Sequence, residues 1–358
     1  MGELILPDDT HNCQFGEPPP GECHSFAGGL FVEETMSLDK LIEERNTQTL
    51  AGVHSVLLVD VCSVIYYIAF GRMDAYKREK DSIRLGKRIA AETAFFCRKA
   101  IKDFGLKACV LCFDSKFSLR RTIYPEYKSK RREKPLPDAE RFVVDCVKDA
   151  ATILRCNSHL LGFQQCVAFG YEADDCIAVH VNYLTPRVRR IIILSSDQDL
   201  YQCVNGNVWV ARPVGGALID ALGVIEEFGV SPDKVAEFKA LAGCKSDDVP
   251  GIAGIGEKYA TDYLNGKPIP EKKRVLIECA DKTGKLQQWR LLVTLPLKKF
   301  YGYPPPTVCY DPDLSLVKHH GWLEELAVGS GVNEDEFVSL SDSEETVPEP
   351  EPYVLKEK

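Results

Sequence analysis

Three short runs of this chain are apolar at nearly every position and rich in β-branched residues: Ser55-Val56-Leu57-Leu58-Val59-Asp60, Ala108-Cys109-Val110-Leu111-Cys112-Phe113-Asp114 and Ile191-Ile192-Ile193-Leu194. Runs of this length without polar alternation predict strands buried on both faces. Each is closed by acid: Asp60, Asp114, and the segment Ser195-Ser196-Asp197-Gln198-Asp199. Helical patterning fills the intervals, over residues 78–104 and again after Gly170, where Glu172-Ala173-Asp174-Asp175 leads into Cys176-Ile177-Ala178-Val179. Strands separated by stretches long enough for helical crossovers imply an α/β fold, a central parallel sheet mixed at its edge with helices on both faces. A shorter strand is expected over 208–212 and a helix over 219–228. Ser231-Pro232 then opens another helix with Val235, Phe238 and Leu241 at helical spacing.

In a sheet of this kind the ligand site lies outside the carboxyl ends of the strands, so Asp60, Asp114, Asp197 and Asp199 should converge. Glu172, Asp174 and Asp175 stand in a first helical turn, where acids also serve simply as caps at the positive end of a helix. Convergence changes the picture. Carboxylates about 4 Å apart repel by about 4 kcal/mol per pair at an effective dielectric near 20, so such a cluster must take up protons or cations. The candidates are oxygen donors without His or Cys, which points to Mg²⁺ or Mn²⁺ rather than zinc. Two such ions about 4 Å apart suit phosphodiester hydrolysis. His11, Cys13, Cys23 and His24 match no usual zinc spacing.

The net charge of the 358 residues is −9, but it is unevenly spread. From 116 to 134, Lys116, Arg120, Arg121, Lys128, Lys130, Arg131, Arg132 and Lys134 face only Glu126 and Glu133, a local +6 that leaves −15 for the rest. Phe117, Tyr124 and Tyr127 are interleaved with them. Charge with interspersed rings suits a surface that holds phosphates and stacks bases. Further on, Asp247 precedes a glycine-rich hairpin from Pro250 through Gly251, Gly254 and Gly256 to Lys258, whose open backbone and following helix start suit a phosphate contact.

Many of the 14 cysteines lie inside apolar runs, as reduced thiols do in a reducing cytoplasm. No apolar run reaches the roughly 18 residues of a membrane span, and the N-terminus has no signal pattern. Residues 1–52 are turn-rich and read as a partly disordered extension with a short helix over 37–45. The segment 331–358 reads as an acidic disordered tail suited to solvation or to a partner such as a replication protein.

Taken together, Leu58-Val59-Asp60, Phe113-Asp114-Ser115 with Arg120-Arg121, Tyr124-Pro125-Glu126-Tyr127-Lys128, Glu172-Ala173-Asp174-Asp175, Ser195-Ser196-Asp197-Gln198-Asp199-Leu200 and the 250–258 hairpin resemble the flap endonuclease and 5′-3′ exonuclease family, in the order in which that family carries them. The similarity is to free-standing phage enzymes and to the 5′-nuclease domain of bacterial DNA polymerase I, over about 53–264. The resemblance implies a PIN-like nuclease domain over 53–220 with an arch at about 115–140, and a helix-hairpin-helix subdomain with C-terminal helices over 221–330. It implies a first Mg²⁺ held by Asp60, Asp114, Glu172, Asp174 and Asp175 and a second by Asp197, Asp199 and Asp247, with Mn²⁺ able to substitute. Lys128 and Arg131 become the arch residues at the scissile phosphate, and Tyr127 a base-stacking ring. Arg120, Arg121, Lys130 and the hairpin residues Gly251, Gly254, Gly256 and Lys258 become DNA contacts, the hairpin with a bound K⁺. The implied substrate is DNA with 5′ flaps, nicks or free 5′ ends, RNA–DNA hybrids included, cut by a cytoplasmic monomer, in the host cytoplasm if phage-encoded.

The chain departs from the family pattern at Cys244, where an aspartate usually stands, and at Val61, Tyr67 and Asp248. No polymerase domain follows, so the nuclease is expected to act alone or to recruit a partner. Two other functions fit parts of this pattern: a structure-selective DNA-binding protein whose chemistry has weakened, suggested by Cys244, and a PIN-type ribonuclease, which the basic segment and the glycine hairpin disfavour.

Overall fold

The structure is a computed structural model that describes residues 55–130, 136–214, 216–298 and 304–310. The expected N-terminal extension, the acidic tail, and Arg131, Arg132 and Lys134 lie outside the described residues.

Six strands, β1 (Ser55–Asp60), β2 (Ala108–Cys112), β3 (Gln164–Cys166), β4 (Arg190–Leu194), β5 (Val208–Ala211) and β6 (Leu218–Ile219), form one sheet in the order β3-β2-β1-β4-β5-β6. All pairs are parallel except β5–β6. The three apolar runs therefore sit side by side at its centre. Alternation divides their side chains between two cores. Leu57, Val59, Cys109, Leu111, Ile192 and Leu194 pack on one face beneath α1 (Val61–Gly71), α2 (Ser82–Asp103) and the end of α3 (Asp138–Asn157). Val56, Leu58, Val110, Cys112, Ile191 and Ile193 pack on the other beneath α4 (Ala173–Leu184). Asp60 shares the register parity of Val56 and Leu58, so the carboxylate that ends β1 turns toward the α4 face.

Helix boundaries follow local capping. The helix expected over 78–104 starts at Ser82 because the Asp81 side chain accepts from the Ile83 and Arg84 amides. The one expected over 219–228 starts later, as α5 (Ala221–Phe228), capped by Asp220, while Leu218–Ile219 pairs as the antiparallel edge strand. Helix α1 follows Asp60 directly and has no amphipathic signal in the sequence, because its residues are apolar almost all round. The polar, three-residue β3 carries no strand pattern either and forms only because β2 offers it an edge.

Beyond the sheet, α6 (Val235–Ala242) leads through the glycine hairpin into α7 (Glu257–Leu264), followed by α8 (Glu271–Lys282) and α9 (Lys285–Val293). Trp289 of α9 donates from Nε1 to the Gly251 carbonyl at 3.0 Å. Gly251 has φ +70, and a Cβ there would lie 2.4 Å from the Gly243 nitrogen. Gly251→Ala is therefore expected to lose about 1–3 kcal/mol of stability in urea unfolding. Gly256→Ala, at φ −93 with nothing within 4 Å of the added carbon, should cost no more than about 1 kcal/mol, the ordinary preference for glycine over alanine at a helix N-cap.

Candidate metal centre at the strand ends

The site is assembled from three strand ends and one helix start. Asp60 caps α1, accepting the Ser63 amide on Oδ1 at 3.0 Å, and its Oδ2 accepts the Ser195 hydroxyl at 2.7 Å. Ser195 Oγ in turn accepts the Asp197 amide at 2.9 Å, and Asp197 Oδ1 accepts the Asp199 amide at 2.8 Å. One hydroxyl thus ties the end of β1 to the acidic turn after β4. Asp114, after β2, accepts the Ala173 amide at 2.8 Å and is anchored to the first turn of α4, from which Asp174 projects. Carboxylate oxygens of Asp174, Asp197 and Asp199 lie within 4.8 Å of one another, and so do Asp199, Asp247 and the Cys244 thiol, Asp199 being common to both groups.

The electrostatics follow from burial. Asp60 is pushed up to about 7 by burial and then by the neighbouring Asp114 carboxylate. Burial, with Asp197 and Asp60 alongside, holds Asp174 well above the ordinary carboxylate range. Asp197 is raised by burial and by Asp199. Asp247 is pushed up to about 6 by burial, which outweighs the opposing pull of Lys128. These groups resist carrying their charges together, because burial and their mutual repulsion outweigh the pull of Lys128 and Lys239. The first group is all oxygen and fits a hard divalent cation. In the second, a thiol joins the donors, and Lys239, buried on α6, already forms an ion pair with Asp199.

Other expected site residues are placed differently. Both oxygens of Asp175 are taken by Arg120, at 2.6 and 2.8 Å, and by the Leu297 and Glu172 amides at 2.7 and 3.0 Å. Asp175 is turned from the cluster because a buried guanidinium needs a carboxylate opposite it. Arg120 is correspondingly buried, with Nε on the Leu292 carbonyl at 2.8 Å, and presents nothing to DNA. Tyr127 is also buried, its hydroxyl 3.1 Å from Glu172 and 3.0 Å from Asp247, so its ring is not available for stacking on a base. Glu172 receives Ser118 Oγ at 3.1 Å and Lys128 Nζ at 2.8 Å. Burial alone would raise it, but Arg120 and Lys128 outweigh that and draw it down to about 2.

Lys128 has φ +52, unusual for a residue with a side chain, and its amide donates to the Asp247 carbonyl at 3.1 Å. Its ammonium, raised above the usual lysine value by Glu172 and Asp247 against the cost of burial, stays charged beside the cluster. Arg121 is half-buried, and Lys130 is exposed with Nζ 2.9 Å from Asp248. Gly254, Gly256 and Lys258 are exposed along an open cleft of about 550 Å³ on the hairpin, whereas Gly251 is packed beneath it. Sequence reasoning missed Lys239 and the role of Ser195. A lysine set inside the apolar stripe of Val235, Phe238 and Leu241 was the available signal for the first.

A family model described as "5′-3′ exonuclease, N-terminal resolvase-like domain" matches residues 55–229. A 5′-3′ exonuclease of Streptomyces coelicolor is 32% identical over 219 residues, 58% of this chain and 70% of the relative. A thermostable DNA polymerase I of Thermus thermophilus is 30% identical over 269 residues, 71% of this chain but 30% of the polymerase, so the chain spans under a third of the polymerase's length. Among solved structures, zinc-bound T5 5′-exonuclease superposes with a TM-score of 0.57 at 16% identity, over 80% of this chain and 99% of that one. The T5 flap endonuclease in a pseudo-enzyme-product complex with DNA and metal ions gives 0.57 at 17%, over 78% and 100%. At such identities the superpositions speak for the fold.

Two outcomes are expected of this site. Raised carboxylate values stabilise the fold below about pH 4 and lose that contribution as pH rises through the folded values toward 7. The rise in Tm on adding Mn²⁺ should therefore be larger at pH 8 than at pH 5.5, and Asp174→Asn should raise the metal-free Tm at pH 8 while shrinking the Mn²⁺ effect. Equal Mn²⁺ effects at both pH values would contradict it. Arg120→Met should cost about 3–5 kcal/mol by leaving Asp175 buried and unpaired, and Arg120→Met with Asp175→Leu should recover much of the loss. A double variant no more stable than the single one would show that the pair does not act as a unit.

Proposed function

The chain belongs to the 5′-3′ exonuclease family, and from that premise we propose that it is a Mg²⁺-dependent 5′-3′ exonuclease and structure-specific 5′-flap endonuclease. Its substrate is DNA with a 5′ flap, a nick or a free 5′ end, as arises in primer or flap removal. The observation that carries this reading is the group of Asp60, Asp174, Asp197, Asp199 and Asp247, drawn from distant parts of the chain, in which Asp60, Asp174, Asp197 and Asp247 have raised proton affinities.

Asp60, Asp114, Asp174 and Asp197 would hold the first ion, an all-oxygen set that favours Mg²⁺ and tolerates Mn²⁺. Asp199 and Asp247, with the Cys244 thiol beside them, would hold the second. When bound, such ions supply Lewis-acid stabilisation of the phosphoryl oxygens and a water acidic enough to attack phosphorus. The chain's own contribution is orientation and charge. Ser195 fixes the angle between Asp60 and Asp197. Glu172 holds Lys128 and Tyr127 rather than an ion, and Lys128 offers its ammonium to the charge that develops on the scissile phosphate. Arg131, three residues on, is assigned the same task by the family pattern. Arg121, Lys130, Gly254, Gly256 and Lys258 are the remaining candidates for backbone contacts to DNA, with K⁺ at the hairpin carbonyls.

The Lys239–Asp199 ion pair together with Cys244 favours a second reading, a flap-binding protein whose catalysis has weakened. A 5′-labelled flap duplex separates the two. Cleavage should appear with Mg²⁺ and vanish with EDTA. Asp174→Asn should abolish it with flap binding retained, and Lys128→Ala should lower kcat by about 10²–10³-fold. Binding without product at any Mg²⁺ or Mn²⁺ concentration would install the second reading, and a strong preference for an all-RNA flap would overturn the DNA assignment.

A further inference from the structure

Three thiols meet at the edge strand β3. Cys166, the last residue of that strand, is buried on the α4 face of the sheet, and its sulfur forms hydrogen bonds with the thiols of Cys176, on α4, and Cys309. The Cys166 and Cys309 sulfurs also share one acceptor, the Thr307 carbonyl, each at 3.5 Å. Cys112, opposite Cys166 in the β2–β3 register, stands on the same face. Cys112, Cys166 and Cys176 are buried, whereas Cys309 is half-exposed. The metal centre uses none of them.

Contacts that do not involve sulfur hold Cys309 in place. Its amide donates to His180 Nε2 at 3.0 Å, and His180 Nδ1 donates to the Cys176 carbonyl at 2.7 Å. Burial lowers the proton affinity of this imidazole, so it stays neutral and bridges the 304–310 segment to α4. The hydrogen bond from Cys176 draws the Cys166 thiol below its ordinary value against the cost of burial, and Cys309 adds to that pull. A thiol favoured as thiolate, in contact with a second thiol that solvent reaches, has what disulfide exchange requires: an entry point and a resolving sulfur.

We propose that Cys309 and Cys166 form a thiol–disulfide exchange site for a small disulfide of the glutathione class, with Cys309 the sulfur that meets it and Cys166 the sulfur that resolves the adduct. The assignment goes beyond the nuclease reading and does not depend on it. Cys309 gives its proton to solvent and attacks one sulfur of the glutathione disulfide. That S–S bond breaks, and the first glutathione leaves as a thiolate and is protonated. Cys166, deprotonated in turn, attacks the Cys309 sulfur of the mixed disulfide and expels the second glutathione, which takes up a proton. Two protein thiols are oxidised to one disulfide, and one glutathione disulfide is reduced to two thiols. The product ties β3 covalently to the segment that His180 already holds on α4.

The test treats the native chain with excess oxidised glutathione at about pH 8, blocks the remaining thiols by alkylation and maps the products by mass spectrometry without reduction. Exposed Cys156 and Cys279 report simple adduct formation. A peptide pair linked through Cys166 and Cys309 should appear and be released by dithiothreitol, while Cys156 and Cys279 carry glutathione. Cys166→Ala should instead trap glutathione on Cys309, and Cys309→Ser should leave Cys166 unmodified. The linked chain should melt several degrees above its reduced form, with no such rise in Cys309→Ser treated alike, because the bridge closes a long loop in its native geometry. A link from Cys166 to another cysteine, a lasting glutathione adduct on Cys309 of the native chain, or an unmodified Cys309 where Cys156 and Cys279 react would overturn the site. So would a linked chain that melts no higher than the reduced one.

Discussion

Like charges brought together out of water are the constraint on which this structure turns. At the carboxyl ends of β1, β2 and β4 the backbone stops, and the side chains that follow are aspartates, packed between α1, α4 and the turn after β4. Nothing in the hydrophobic core requires them there, and burial, with neighbouring carboxylates adding to it, raises the proton affinities of Asp60, Asp174 and Asp197. A fold that retains such a group must gain from something that binds it, and divalent cations are the partners that relieve the repulsion without displacing the carboxylates.

The surrounding cations sort the acids by task. Arg120 takes Asp175 in a bidentate pair and thereby fixes the start of α4 against the segment after α9. Lys128 takes Glu172 and Lys239 takes Asp199. Asp60, Asp114, Asp174 and Asp197 form no such ion pair among the described residues, though the charge of Lys128 reaches Asp174 and those of Lys239 and Lys128 reach Asp197. The two halves of the acidic group, which share Asp199 and its Lys239 partner, are unequal: Asp174 and Asp197 complete one with oxygen alone, and Asp247 and the Cys244 thiol complete the other.

The segment between β2 and α3 joins the centre to the glycine hairpin. Its Lys128 amide rests on the Asp247 carbonyl, and Asp247 stands just ahead of the hairpin that Trp289 grips at Gly251. The hairpin is thus tied, through a few residues, to the carboxylates and to the ammonium that lies beside them.

The sheet centre, its parallel sense and the convergence of Asp60, Asp114, Asp197 and Asp199 were legible in the sequence, because apolar runs closed by acid are a local signal and the crossover geometry admits few topologies. The Pro250–Lys258 hairpin was legible for the same reason, through its glycines. Strands β3 and β6 were not, since two or three residues become strand only when an edge is offered. Nor could the sequence assign individual charges. Glu172, Asp174 and Asp175 look interchangeable in one dimension, yet a helix turn points each to a different neighbour, and Arg120 and Tyr127, surface contacts by pattern, are buried as counter-groups. Local periodicity determined where the acids gather. Which acid faces a cation and which faces open space was decided by packing between segments as much as 172 residues apart, and no pattern along the chain encodes that.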